Sequence, residues 1–405
     1  MTVLCRFAKF TIFAKNAVLW HSLLCNMDTG FFLEMLNIDS TSGKEAGFAD
    51  FLARKLEGQG RRIETFEVGD GTVNLLVSWG TPEVVFCSHL DTVPPYIPPR
   101  IIQDSPSVMS SEVETSPGTI FHGRGTCDAK GQIFAMYEAC KTLEAKGCSD
   151  FGLLLLAGEE TGSFGAKAFE AMADKPFPTD GAWLIVGEPT DNCMASAAKG
   201  TKSFEVTFEG KPCHSGYPEN GESAILYFND FMNALRSIVF PMDDLLGETT
   251  WNVGKLVSDN PQNILSDSLT CRVYFRTTFE SDEMVCNIMK NIAGPQAKLR
   301  FGKRKVQDGS DIVAKDVAPW QKAMSVKAFG GDSPSKFEVL DGFETKPVAF
   351  GSDAPQLGCF RNKILCGPGS ILTAHRPDER ITLQELEAAA DNYVRMYMEL
   401  FVLLK

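Results

Sequence analysis

Three short apolar runs, Val84–Cys87, Leu153–Leu156 and Trp183–Val186, show almost no polar alternation. A strand with one wet face alternates apolar and polar residues, so runs of this kind need cover on both faces. Helical spacing lies around and between them. Phe48, Phe51, Leu52 and Leu56 recur within Glu45–Leu56, Ile133, Tyr137, Cys140 and Leu143 within 131–146, and a further helix is expected over Phe164–Met172. Strands alternating with helices predict an α/β domain built on a mostly parallel sheet.

The texture changes near residue 200. Phe204, Val206 and Phe208 alternate with polar residues, as in a half-exposed antiparallel strand. A helix at 222–239, strands at 250–257 and 268–277, a helix at 281–292 and a strand at 297–303 complete a β-α-β-β-α-β order, the ferredoxin-like split motif. After about residue 307 the α/β texture returns, with strands at Val348–Phe350 and Lys363–Cys366. The last helix opens on Thr382-Leu-Gln-Glu385, a capping box, and turns Leu386, Tyr393 and Tyr397 inward. A chain of 405 residues exceeds one ordinary core. The expected layout is one α/β domain, 27–197 with 307–405, interrupted by a smaller α+β domain at 198–306. Residues 1–26 carry Arg6, Lys9 and Lys15 and no acid, the charge bias of a targeting segment, but no clean apolar stretch; an overextended start is the reading adopted.

Charge and cysteine usage limit the function. Thirty-nine basic against 52 acidic side chains leave a net charge of −13, which sets up no field attracting a phosphate backbone, and nucleic acid is not an expected partner. No stretch reaches the roughly 18 apolar residues of a membrane span. The twelve cysteines form no CxxC pair and several sit in apolar runs, which suits reduced, mostly buried thiols and a cytoplasmic location.

Candidate chemistry follows the apolar runs. His89 and Asp91 come after the first, Glu159 and Glu160 after the second, and Glu188 after the third. His375 lies in the loop after Ile364–Cys366, and Asp128 precedes a helix. Loops at the carboxyl ends of parallel strands gather along one sheet edge, where ligands bind. Alone, Asp128 suits a helix N-cap, Glu188 before Pro189 a turn, His89 a core position and Glu159-Glu160 a solvated loop. Joint placement weighs against these readings: the chain has five histidines, and two fall at such strand ends. Carboxylates crowded on one edge repel unless a cation neutralises them. Imidazole and carboxylate without thiolate suit Zn2+, with Co2+ or Mn2+ as alternatives. An acid-rich set with one bridging carboxylate suits two divalent ions, and adjacent Glu159 and Glu160 offer one ligand and one general base.

The ordered set His89-Leu-Asp91, Gly-Arg-Gly-x-x-Asp128-x-Lys-Gly, Glu159-Glu160-x-Gly, Gly-Glu188-Pro-Thr and Gly-Pro-Gly…His375 resembles the M20 metallopeptidases. The resemblance runs from about residue 28 to the C-terminus. It is nearest the branch of acetylornithine deacetylase and succinyl-diaminopimelate desuccinylase. It implies that His89, Asp128 and Glu188 hold one metal and Asp128, Glu160 and His375 the second, with Asp128 bridging. It implies that Asp91 orients His89 and that Glu159 is the general base. His214, in Cys213-His-Ser-Gly, would reach a partner subunit's active site from the inserted domain and stabilise the oxyanion. The inserted domain would serve as a dimerisation and lid domain in a homodimer. Asn263 and Arg276 would recognise a substrate carboxylate, although the family's Gly-Gly pair before this asparagine is replaced by Lys255-Leu-Val-Ser-Asp-Asn-Pro-Gln. Cys127 and Cys213 read as packing thiols. Gly367–Gly369 would let backbone approach the ligand closely.

The expected enzyme is a metal-dependent amidohydrolase removing an acyl group from an N-acyl amino acid, with N-acetylornithine first. A succinyl-diaminopimelate desuccinylase and an M20 dipeptidase or carboxypeptidase are the rivals. A non-catalytic relative would have lost a ligand or Glu159, and all six residues are present. A flavodoxin-like nucleotide binder lacks its glycine fingerprint.

Overall fold

The computed structural model describes residues 27–69, 71–103, 118–301, 303–305, 311–313 and 316–404; the expectation for residues 1–26 lies outside them. The described residues begin with helices α1 (Thr29–Leu36) and α2 (Ala46–Lys55), then strands β1 (Arg61–Gly69), β2 (Thr72–Trp79) and β3 (Val84–His89). Helix α3 (Lys130–Ala145), strand β4 (Phe151–Leu156), helix α4 (Phe164–Ala171) and strand β5 (Trp183–Val186) follow. The chain then enters a second unit with β6 (Gly200–Glu209), α5 (Ala224–Arg236), β7 (Thr250–Val257), β8 (Ser268–Thr277), α6 (Asp282–Asn291) and β9 (Met324–Gly330). It returns to add β10 (Asn362–Leu365) and closes with α7 (Leu383–Leu404).

The first unit comprises the described residues up to Ser196, Phe337–Lys346 and those from Ser352 onward. Its six-stranded sheet runs β1-β2-β4-β3-β5-β10. The last four are mutually parallel, and β2 joins β4 antiparallel. All residues of β3 and β4 are buried, which is why their sequences carry no alternation. Helix α3 is buried along most of its first half, Lys130–Met136, beyond the single apolar face its spacing predicts, and Tyr137 is only half-buried. Phe32 stacks on Phe134 (centroids 4.8 Å apart), and Phe86 meets Tyr393 edge-on. Truncating a buried aromatic of this kind costs about 3–5 kcal/mol. The capping box at α7 forms as the sequence predicts: the Thr382 N–H donates to Glu385 (2.8 Å) and the Glu385 N–H to Thr382 Oγ1 (3.1 Å). Leu386, Tyr393 and Tyr397 are buried.

The second unit is Ala197–Lys336 with Pro347–Gly351. Its antiparallel sheet, ordered β7-β8-β6-β9, carries α5 and α6 and a core of Phe204, Val206, Phe208, Phe231, Val273 and Met289. Two expectations are corrected. No strand forms at 297–301, because the Lys298 and Leu299 N–H groups are used on the Asn291 carbonyl (2.9 and 3.3 Å) at the end of α6. The fourth strand is β9, paired antiparallel with β6, so this unit extends beyond the expected boundary at 306. The strand expected at Val348–Phe350 lies at Thr345–Val348 instead.

Candidate metal centre

Strand β3 lies between β4 and β5, so the chain leaves it on one side and later returns on the other. A crevice opens at such a switch in an open parallel sheet. His89 is the last residue of β3, and the turns after β4 and β5 bring Glu159, Glu160 and Glu188 to the same edge. Asp128 arrives on the turn before α3. His375 arrives at φ 63°, a left-handed conformation that a non-glycine residue adopts at a cost and that often marks a functional position.

Asp128 divides its carboxylate between two imidazoles. Its Oδ1 lies 2.9 Å from His89 Nε2, and its Oδ2 3.2 Å from His375 Nε2, which is also 2.8 Å from Glu160 Oε1. Donor atoms of His89, Asp128 and Glu188 lie within 4.8 Å of one another, as do those of Asp128, Glu160 and His375. A third such group joins His89, Glu159 and Glu160, so proximity alone does not separate the two glutamates; the short contact to His375 selects Glu160 as its partner. None of these groups contains a thiol. Among the described residues ten cysteines are free, and Cys127 is buried with Sγ directed at the Ser370 carbonyl.

The electrostatics ask for positive charge. Burial, then repulsion from Glu159 and Asp128, pushes the Glu188 carboxyl well above the usual range. Burial, with nearby Asp353, Glu160 and Asp128, does the same to Glu159. Burial raises Glu160 as well. Burial would also raise Asp128, but hydrogen bonds with His375 and His89 hold it well below the usual range. Hydrogen bonds to Asp128 and Glu160 push His375 up to about 10. Three carboxyls that resist ionisation beside two imidazoles that hold their protons form a set that divalent ions would discharge. Imidazole nitrogens and carboxylate oxygens at these separations fit two such ions, one at each triad.

Asp91 stands behind this set. Its carboxylate accepts from Ser42 Oγ (2.7 Å), Glu159 N–H (3.0 Å) and Glu160 N–H (3.3 Å), and its Oδ1 lies 3.4 Å from His89 Nδ1. The nearer neighbour of that nitrogen is the Asp91 carbonyl, at 2.9 Å, so backbone and side chain share the orienting of His89. Sequence reasoning gave no role to Ser42 or to two buried acids, Asp353 and Glu379. Among the described residues Asp353 Oδ1 has no hydrogen-bond partner, and burial pushes that carboxyl up to about 6. Gly367 does approach closely, but to the Glu188 backbone: a Cβ there would lie 2.6 Å from the Glu188 carbonyl oxygen and 2.2 Å from Gln132 Oε1.

His214, Asn263 and Arg276 belong to the second unit. His214 pairs in a β-bridge with Ile264, and the Ser215 N–H donates to the Asn263 carbonyl (2.9 Å), so the His214 and Asn263 loops lie side by side. The Gly216 N–H donates to His214 Nδ1 (3.1 Å), which leaves Nε2 as the protonated nitrogen of the neutral ring, a hydrogen-bond donor on an exposed side chain. The Arg276 guanidinium lies 5.0 Å from the Tyr274 ring centroid.

A protein of Aspergillus flavus named probable carboxypeptidase is 33% identical over 332 residues, covering 78% of this chain and 74% of its own length. The aminopeptidase PepT of Bacillus cereus shares the fold at a TM-score of 0.66 and 21% identity, covering 93% of this chain and 100% of that one. A Bacillus subtilis structure described as a dinuclear metal binding peptidase from the M20 family superposes at 0.60, with 13% identity over 94% of this chain and 98% of its own. None of these three names an acetylornithine deacetylase. The model of Peptidase family M20/M25/M40 matches residues 85–399, a span holding every donor of both triads, and the chain belongs to that family of amide-bond hydrolases.

Proposed function

We propose that the chain uses two divalent ions to hydrolyse the amide bond of a small substrate bearing a free carboxylate. The observation that carries this reading is the Asp128 carboxylate, whose two oxygens face different imidazoles. His89, Asp128 and Glu188 hold one ion and Asp128, Glu160 and His375 the other; Zn2+, Co2+ and Mn2+ all suit the donors. Bound there, such ions polarise a carbonyl and activate water. Glu159, left out of both triads, takes the proton from the attacking water and passes it to the departing amine. Its carboxyl is pushed well above the usual range by desolvation and neighbouring acids, so it holds a proton more readily than an ordinary carboxylate, as a base must. His214 presents its Nε2 proton to the developing oxyanion of a partner subunit, and Arg276, with Asn263, receives the substrate carboxylate.

The second unit mediates that homodimer in this proposal, supported by exposed Leu226 on α5 and by Leu256 and Val257 on the edge strand β7. Resemblance in Gly351-Ser-Asp-Ala-Pro355 and Ala374-His-Arg-Pro-Asp-Glu379 favours an N-acyl amino acid such as N-acetylornithine. The name of the Aspergillus relative favours the carboxyl-terminal bond of a peptide.

Metal-loaded protein assayed against N-acetylornithine, N-succinyl-diaminopimelate, dipeptides and an acylated dipeptide separates the readings. A Glu159→Gln variant should lose turnover about 10²–10⁴-fold and retain its metal content. Retained turnover would remove Glu159 from the role of base.

A further inference from the structure

We infer that Glu379 is the positioning residue of the metal pair, locking the turn that carries Asp128 to the loop that carries His375. The inference rests on the two-ion reading above. Glu379 is 1% exposed, and its Oε1 accepts from three backbone N–H groups at once: Gly125 (2.9 Å), Cys127 (3.1 Å) and Asp128 (3.1 Å). Its Oε2 accepts from the buried Arg124 guanidinium, and its own carbonyl accepts from the Gly123 N–H (3.0 Å). One residue thus collects four of the six N–H groups of Gly123–Asp128. Converging N–H groups of this kind form a nest for an anion, and here the anion belongs to the chain itself.

Glu379 lies four residues beyond His375, and the Arg124 guanidinium also reaches the Arg376 carbonyl (3.4 Å). The same contacts that fix the Asp128 main chain therefore fix the base of the His375 loop. His375 itself is half-exposed, so its loop has to be placed from the main chain. A buried ion pair is a weak source of stability, so Arg124–Glu379 is better understood through what it aligns. Glutamine cannot replace the carboxylate: three N–H donors on one side and a guanidinium on the other both demand an acceptor, and an amide offers one.

The test is stepwise Co2+ titration of metal-free full-length protein, read by visible absorption and chelator competition, with circular dichroism as a fold control. In Glu379→Gln the second ion should bind 10–100-fold more weakly, and the first should lose less, because His89 and Glu188 are set by strands β3 and β5. A folded variant whose second ion binds as in the parent overturns the inference; equal weakening of both ions, without preference for the second, overturns it as well. If Glu379→Gln does not fold, Arg124→Gln leaves the three N–H bonds in place and should weaken the second ion about tenfold; unchanged affinity there overturns the inference. A parent protein that takes up no second ion refutes the two-ion reading itself, and is recognised before any variant is measured.

Discussion

Replacing Asp91 by asparagine tests whether the centre is held from behind. The side chain keeps its shape, and its remaining oxygen can still accept from the Glu159 N–H at 3.0 Å. The new amide group then occupies the place of Oδ2. The Ser42 hydroxyl can rotate and accept from it, but the Glu160 N–H, 3.3 Å away, is left facing another donor. An unpaired buried N–H costs about 1–3 kcal/mol, and urea unfolding of the metal-free protein should read that loss. The charge beside His89 disappears too. Changes of this kind behind a ligating histidine weaken metal binding about 10–100-fold, or about 1.4–2.7 kcal/mol. Chelator competition for Zn2+ on the folded variant measures it. If Asp91→Asn binds Zn2+ within twofold of the parent, the assignment of Asp91 as the support of His89 and of the Glu159–Glu160 turn is refuted.

Gly367→Ala should lower both stability and Zn2+ affinity, since its Cβ would stand 2.6 Å from the Glu188 carbonyl and the backbone there has to move; urea unfolding and chelator competition read the two losses. Tyr393→Phe removes the bond from its hydroxyl to the Cys366 carbonyl (3.0 Å), and should cost about 1–3 kcal/mol in urea unfolding without altering metal content. Metal affinity should rise with pH. With His375 pushed up to about 10 by Asp128 and Glu160, its ring carries a proton at neutral pH that an incoming ion must displace. Affinity for that ion therefore grows about tenfold per pH unit for each proton released, levelling off near pH 10. Competition titrations at pH 6, 7 and 8 check this, and a flat profile would contradict it.

The parallel part of the sheet was legible because burial on both faces leaves its mark directly: β3 and β4 are nearly continuous apolar runs. The ribbon β1–β2 was not. β1 is the half-exposed edge, and β2 contains Asn74, whose burial depends on partners far away in sequence: it donates to the Gly165 carbonyl (2.8 Å) and accepts from the Ala157 N–H (3.0 Å). The strand expected at 297–303 does not form over 297–301, for the same kind of reason. The Ala297–Phe301 stretch alternates well enough, but the Lys298 and Leu299 N–H groups are used at the end of α6, and β9 takes the place beside β6. The candidate ligands could be picked out from positions after strands or, for Asp128, before a helix. What holds them could not, because Ser42, Gln132 and Glu379 act on main-chain groups or on side chains chosen only by the fold.

The acids of the centre divide by what they face. Asp91 faces hydroxyl, N–H and imidazole donors and is held below the usual carboxylate range in spite of its burial. Asp128 faces two imidazoles and is held lower still. Glu188 is buried and Glu159 half-buried, both beside other acids, and both are driven up. A protein that needed only stability would gain by replacing the latter pair with apolar side chains of similar volume, since buried carboxyls without donors cost free energy in either protonation state. Their retention beside two imidazoles makes sense when positive charge enters the site from outside. Ionisation of Glu188 is then repaid by a cation it can touch. Glu159, which belongs to neither triad, keeps a carboxyl that other acids and desolvation push well above the usual carboxylate range.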